Sequence, residues 1–281
     1  MSLPPGEQVA AELAASGRPV PDVVIEPDAD RLVRAVASAL VARLAAAQAV
    51  RGTAAVVLTG GGVGTAVLEQ VAGLAADPER ERVDWTAVDV WWGDERFVPA
   101  ADDDRNEKGA RRALLDPVGV PAERVHAMPP SDGPFASPEE AADWYAAQLA
   151  GAAPDGEVVP RFDVLLLGMG GEGHVASIFP DSPAAADDRP VLAVRDCPKP
   201  PPTRVSLGFS AINAAEEIWL IVSGDAKADA VATALSDQAL TGEALTGDGA
   251  SPLPAARVHG RRATRWLLDA AAASRLPAAP H

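Results

Sequence analysis

Glu172 and His174 stand two residues apart near the middle of the run Phe162 to Pro180, FDVLLLGMGGEGHVASIFP. An imidazole, with an ordinary pKa of about 6.5, can take a proton near neutrality. A carboxylate beside it can orient the ring and stabilise the imidazolium, so the pair suits general-base activation of a water. A histidine is also often purely structural, and its surroundings decide. The apolar run Val164 to Leu167 reads as a strand covered on both faces. Gly168, Gly170, Gly171 and Gly173 follow, and glycine lets another group approach the backbone closely. Ligands of open α/β sheets bind outside the carboxyl ends of strands. The loop therefore carries a base to the place where a ligand is expected. A short helical turn ended by Pro180 should follow His174. Gly168-x-Gly170-x-x-Gly173 also matches the dinucleotide-binding spacing, with Asp196 near the expected acidic position. Against that reading, Pro180 would break the long helix it requires, and a titratable pair crowds the place of the pyrophosphate.

Other strand ends carry polar groups. Thr59-Gly60-Gly61-Gly62 precedes a helix, where free N–H groups and the positive dipole end form a phosphate cradle; a plain tight turn reads the same way. It lacks the Gly-Lys-Ser/Thr of a nucleoside triphosphate loop. Gly93-Asp94-Glu95-Arg96 sets two acids beside a cation, as a site or a solvated surface cluster would. Arg204 and Lys227 are cations near a strand or helix start. Arginine suits bidentate phosphate contacts and lysine a point contact, but either also suits an exposed surface. No Gly-x-Ser-x-Gly elbow occurs. His126, His174, His259 and His281 are isolated, and no Cys/His cluster has metal-ligand spacing, so neither metal nor cofactor is expected.

The elements that must position these groups alternate. Strands are expected at 23–25, 53–58, 85–92, 125–128, 164–167, 191–194, 204–207, 217–222 and 265–268. Helices are expected at 28–50, where Leu32, Val36, Leu40 and Leu44 share a face, and at 65–74, 105–115, 138–149 and from about 225 to 235, with Lys227 in the first turn of the last. Thr241 to Pro254 reads as a loop, and an Ala-rich helical tail should follow the last strand. Such alternation implies an α/β fold with a mostly parallel, Rossmann-like sheet flanked by helices. Residues 23–275 read as one domain and residues 1–22 as a loose extension.

The 281 residues carry a formal net charge of -16. That disfavours nucleic acid, whose affinity rests on clustered Lys and Arg. It also requires a local basic pocket for any anionic substrate. Cys197 is the only cysteine, so no intramolecular disulfide can form, and a reducing cytoplasm fits. No run of 18 apolar residues indicates a membrane span. The N-terminus lacks the basic start and apolar core of a secretory signal.

Taken together, the motifs resemble the 6-phosphogluconolactonase family. The matching pieces are TGGG (Thr59 to Gly62), WWGDERFVP (Trp91 to Pro99) with Asn106 after it, LLLGMGGEGHVASIFP, PPPTRVSLG (Pro200 to Gly208), IWLIVSGDAKADAV (Ile218 to Val231) and LPAARVHG (Leu253 to Gly260). They run in the family's order over most of the chain. The resemblance implies a NagB/RpiA/CoA transferase-like fold and hydrolysis of 6-phospho-D-glucono-1,5-lactone, the second step of the oxidative pentose phosphate pathway. It implies His174 as general base, Glu172 where the family more often has Asp, and Asp94 with Arg96 as an acidic and basic pair. Thr59, Gly60, Gly61, Gly62, Arg204 and Lys227 match the phosphate-binding positions. Arg204→Ala is then expected to weaken turnover of the phosphorylated lactone far more than that of glucono-δ-lactone. A nearby Glu172 is expected to raise the pKa of His174. The partner implied is a small sugar-phosphate lactone, bound by a monomer or small homo-oligomer. The alternatives are a sugar-phosphate isomerase or deaminase on the same fold, which would use a carboxylate base such as Asp94, and a non-enzymatic sugar-phosphate sensor.

Overall fold

The computed structural model describes residues 21–77, 83–236 and 252–276. Residues 1–20 of the expected extension, 241–251 of the expected loop and the tail beyond 276 lie outside them.

In chain order the elements that build the scaffold are β1 (Asp22–Glu26), α1 (Ala29–Arg51), β2 (Ala54–Leu58), α2 (Gly61–Ala75), β3 (Val88–Trp92), β4 (Asp94–Arg96), α3 (Asn106–Ala110), α4 (Pro138–Gly151), β5 (Val164–Gly168), β6 (Val191–Val194), β7 (Arg204–Leu207), β8 (Glu217–Val222), α5 (Ala228–Ala234) and β9 (Ala263–Asp269). Six strands form a parallel sheet in the order β1-β9-β8-β5-β2-β3. Both faces are covered, and the strands read accordingly. In β5, Val164 and Leu166 belong to one apolar cluster, with α1 and α2; Leu165 and Leu167 belong to the other, with α4, β6 and β7. Side chains alternate across a strand, so a strand buried on both faces shows the unbroken apolar run seen in the sequence.

By length and hydropathy alone α1 is long and apolar enough to cross a membrane. Its placement explains that composition otherwise. Leu32, Val36, Leu40 and Leu44 are buried in the core. Arg43 reaches Glu217 at 2.7 Å and Asp163 at 3.3 Å, and Arg51 reaches Asp163 at 2.5 Å. Asp28 caps the helix by accepting the N–H of Arg31, and Gly52 ends it with φ of 79°, a left-handed C-cap that favours glycine.

Several expectations are corrected. β6 and β7 do not join the parallel sheet: they form an antiparallel three-stranded sheet with β4, in the order β4-β7-β6. The segment 94–96, read from the sequence only as the polar end of the preceding strand, is therefore a strand of its own. α2 starts at Gly61, four residues before its expected start, because glycine's low helix propensity hides a first turn built from glycines. The expected strand 125–128 reduces to one bridge between Val125 and Val90. The expected helix 105–115 passes from α-turns into wider π-turns at Arg111–Leu115. Lys227 lies in a tight 3-10 turn, Asp225–Lys227, just ahead of α5. After β9 the chain makes turns through residue 275, and no helix. No helical turn follows His174; Val175 bridges Met169 and Ile178, and Ala176 has φ of 49°.

The strand order places a switch point between β2 and β5. From β2 the chain crosses by α2 to β3 on one side, while β5 and the later strands lie on the other. A ligand crevice is expected outside the carboxyl ends of the strands at such a point.

Candidate active site

The crevice is there. A cleft of about 300 Å³ is lined by Thr59, Gly60, Gly61, Gly62, Asp94, Arg96, His174, Arg204 and Lys227, together with Asn106 and others. That volume lies at the lower end for small-molecule sites. Nine of the ten residues singled out from the sequence line it, and the tenth, Glu172, stands behind His174. The two sides of the switch point are tied together where Gly168 donates its N–H to Thr59 Oγ1 at 3.2 Å.

The cradle side is the N-terminus of α2. Gly60 caps it with no side-chain hydrogen bond, and no acid sits in the first turn. The first amides of a helix have no intrahelical acceptor, so here they are left to the cleft. Gly60 could not be another residue without a shift: a Cβ there would stand 1.9 Å from Asn106 Oδ1.

On β4 residues 94 and 96 share a face and residue 95 points away. Glu95 is 1 % exposed and accepts the N–H groups of Arg96, Asn106 and Glu107 at 2.7–2.9 Å. It thus caps α3 from outside the helix and has no place in the cleft. Burial raises its pKa, against the attraction of Arg105 and these amides. Asp94 and Arg96 both line the cleft, but each has its own partners. Asp94 accepts Ser177 Oγ at 2.7 Å and lies 3.7 Å from Arg204. Arg96 donates to Asn106 Oδ1 at 2.5 Å and to the Asp104 carbonyl at 2.8 Å. Asn106 links the two by donating to the Asp94 carbonyl at 2.8 Å.

Arg204 is 5 % exposed. It donates through Nε to the Pro201 carbonyl and through Nη2 to the Lys199 carbonyl, both at 3.0 Å. Most of its fork therefore holds the Pro-rich connection between β6 and β7. Lys227 Nζ, in contrast, makes no hydrogen bond or ion pair among the described residues. Burial, and then repulsion from Lys199, holds its pKa below the ordinary lysine value.

The imidazole of His174 meets Glu172 Oε1 through Nδ1 at 2.9 Å, and the other Glu172 oxygen accepts Lys199 Nζ at 2.8 Å. Burial is the largest influence on Glu172 and opposes its ionisation. The bonds from Lys199, its own backbone and His174 together outweigh that and bring its pKa to about 2. An ionised carboxylate can only accept. Nδ1 must therefore carry the proton, which leaves Nε2 of the neutral ring as an acceptor. The expected direction of the His174 shift is corrected: its pKa is lowered. Burial dominates, and the attraction of Glu172 only partly offsets it. Phe179 packs against the ring, with centroids 4.4 Å apart.

Gly170 makes this dyad possible. A Cβ at that position would stand 2.1 Å from His174 Nδ1 and 2.6 Å from Glu172 Oε2. Gly170→Ala is expected to leave the fold intact, since the flexible side chains can swing away, and to remove most activity by breaking the Glu172–His174 bond. Near wild-type turnover in a folded Gly170→Ala protein would separate the dyad from activity.

Reading the sequence residue by residue missed Lys199, Ser177 and a defined task for Asn106. Asn106 was visible only as part of a longer motif, and Lys199 gave no signal within a Pro-rich connection. Among the described residues no group of three or more His, Cys, Asp or Glu is placed to hold a metal.

A parallel sheet with a glycine-lined cleft at its switch point defines the chain as an α/β protein with a small-molecule site outside the carboxyl ends of its strands. The chain belongs to the glucosamine-6-phosphate isomerase/6-phosphogluconolactonase family, whose model matches residues 27–266. It is 48% identical over 261 residues to the 6-phosphogluconolactonase of Streptomyces coelicolor, covering 92% of this chain and 95% of that protein. It is likewise 48% identical over 259 residues to the 6-phosphogluconolactonase of Mycobacterium tuberculosis, covering 91% and 98%. Among solved structures it resembles the 6-phosphogluconolactonase of Thermotoga maritima, with a TM-score of 0.73, 26% identity and coverage of 89% and 100%.

Proposed function

We propose that this chain hydrolyses 6-phospho-D-glucono-1,5-lactone to 6-phospho-D-gluconate, with His174 as the base. The observation that carries the mechanism is the imidazole tied at Nδ1 to an ionised carboxylate, on a ring that lines the cleft. Nε2 takes a proton from water as the water oxygen attacks the lactone carbonyl carbon. The carbonyl oxygen becomes an oxyanion, which fixed N–H donors of the glycine loops would stabilise. Collapse expels the ring oxygen, and the imidazolium returns a proton to it. A lactone lacks the resonance protection of an amide, so one positioned base and charge stabilisation suffice. Asp94 and Arg96 fix the reacting end. The amides of Gly60 to Gly62, with Thr59, Lys227 and the nearby charge of Arg204, take the phosphate. Binding the remote phosphate supplies orientation at the carbonyl.

A carboxylate base for isomerase or deaminase chemistry would have to be Asp94, whose oxygens are engaged by Ser177 and neighbour Arg204. The test is acid release from the phosphorylated lactone, corrected for spontaneous hydrolysis, beside ammonia release from glucosamine 6-phosphate. Fast acid release with no ammonia is expected; the reverse would move the chain to the other branch of its family. Activity is also expected to survive exhaustive chelation, because the chemistry above is carried by His174 and fixed dipoles. Loss on chelation with recovery on adding metal would overturn that. With its single cysteine the chain suits a reducing compartment, and we place its activity in the cytoplasm.

A further inference from the structure

We propose that Lys199 is a positioning residue for the His174 base: its ammonium holds the far oxygen of Glu172, so that the near oxygen fixes the imidazole. The inference rests on the reading of His174 as the base. Its geometry is a relay of three groups. Lys199 Nζ lies 2.8 Å from Glu172 Oε2, and Glu172 Oε1 lies 2.9 Å from His174 Nδ1. Each carboxylate oxygen has one of the two partners. A carboxylate held by one oxygen alone can rotate about its terminal torsion, which is broad and soft. Held at both oxygens, it presents one lone-pair direction to the ring.

The anchor of Lys199 is also visible. Arg204 Nη2 donates to the carbonyl of Lys199 itself and Nε to that of Pro201, both at 3.0 Å. Arg204 in turn lies on β7, beside β4 and its Asp94. The second sheet thus fixes the backbone from which the lysine reaches over to the glycine loop of the first. The length of Glu172 fits this relay. An aspartate would be one methylene shorter, and would have to satisfy imidazole and ammonium from further back.

The charged groups facing the imidazole come from several elements. Glu172 and Asp94 favour its protonated form, and Lys199 disfavours it. Arg96, Lys227 and Arg204 are the cations of the cleft lining. Removing Lys199 leaves Glu172 uncompensated, so His174 should hold its proton to higher pH. Because the base must be neutral, the acid limb of kcat/KM should move to higher pH as well.

The experiment compares Lys199→Ala and Lys199→Arg with the wild type on two substrates, 6-phosphoglucono-δ-lactone and glucono-δ-lactone, across pH 5 to 9. The His174 ring is followed in parallel by NMR titration. In Lys199→Ala the ring should titrate at higher pH, and the acid limb should move with it on both lactones. The kcat should fall about two- to fivefold, the size an exposed ion pair can supply. Lys199→Arg should restore most of the wild-type profile. Unchanged His174 titration in a folded Lys199→Ala protein would overturn the proposal. So would a loss confined to KM for the phosphorylated lactone, which would make Lys199 a phosphate contact instead. The NMR readout needs no turnover, so a failure of His174 as base, seen as activity surviving His174→Asn, is distinguishable from a failure of the relay.

Discussion

Replacing His174 with Asn should lower kcat/KM for 6-phosphoglucono-δ-lactone by about 10²–10⁴-fold, the usual worth of a general base. Asparagine keeps polarity and approximate size but cannot take a proton usefully at neutral pH. The position is held by Gly170, whose N–H donates to the His174 carbonyl at 3.1 Å, and this bond does not depend on the side chain. The variant should therefore fold, unfold at a similar temperature, and still bind 6-phosphogluconate. Glu172→Gln should cost less, since it keeps a hydrogen-bonding group at Nδ1 and loses the charge. The pH profile adds a direction. The wild-type acid limb should lie below the ordinary imidazole value of about 6.5, because burial lowers the His174 pKa. The neutral, base-competent ring then persists to lower pH than that of a free histidine, and activity falls only as pH drops through the lowered value. Steady-state rates over pH 5 to 9 beside a thermal unfolding curve decide it. A folded His174→Asn enzyme with near wild-type activity would move the base to Asp94 or Glu172.

The direction of that shift shows where reading residues in order reaches its limit. Glu172 and His174 stand two residues apart in sequence, so their attraction was visible. The burial that outweighs it is set by the folded surroundings, with Phe179 packed against the ring, and a pattern of sequence neighbours cannot report it. The parallel sheet was legible for the opposite reason. Its central strands are buried on both faces, and Val164 to Leu167 or Ile218 to Val222 announce this as unbroken apolar runs. β4, β6 and β7 are short and antiparallel, and local patterning does not tell which sheet a short strand joins. Glu95 shows the same gap on a smaller scale. Its neighbours Asp94 and Arg96 suggested chemistry for the whole motif, yet strand alternation turns Glu95 away to cap α3. The glycine turn after β2 was readable from its residues, while the helix start at Gly61 was not, because low propensity was overruled by the fold around it.

Arg204 and Lys227 look alike in the sequence, as two cations near element starts, and the structure separates them in a way that gives different expected results. Lys227 has no partner among the described residues, and it is partly desolvated at the cleft. A phosphate would relieve its cost of burial by a charge-assisted bond worth about 1.5–3 kcal/mol. Lys227→Ala should therefore lower kcat/KM for the phosphorylated lactone by about 10- to 150-fold, by the conversion of 1.36 kcal/mol per tenfold. Turnover of glucono-δ-lactone, which has no phosphate, should change by less than about threefold on the same scale. Arg204 is buried and committed to the carbonyls of Lys199 and Pro201 and to the neighbourhood of Asp94. Arg204→Ala would strand those acceptors, at about 1–3 kcal/mol for each buried group left unsatisfied. It should lower the unfolding temperature, loosen the connection that carries Lys199, and reduce turnover of both lactones. This departs from the selective loss that its charge alone suggests. The measurement is kcat/KM of both variants on both lactones, with thermal unfolding of each. Equal losses on the two lactones for Lys227→Ala would remove it from the phosphate site. A selective loss in a fully stable Arg204→Ala protein would make the phosphate the main partner of Arg204 and leave the carbonyl contacts without the weight assigned to them.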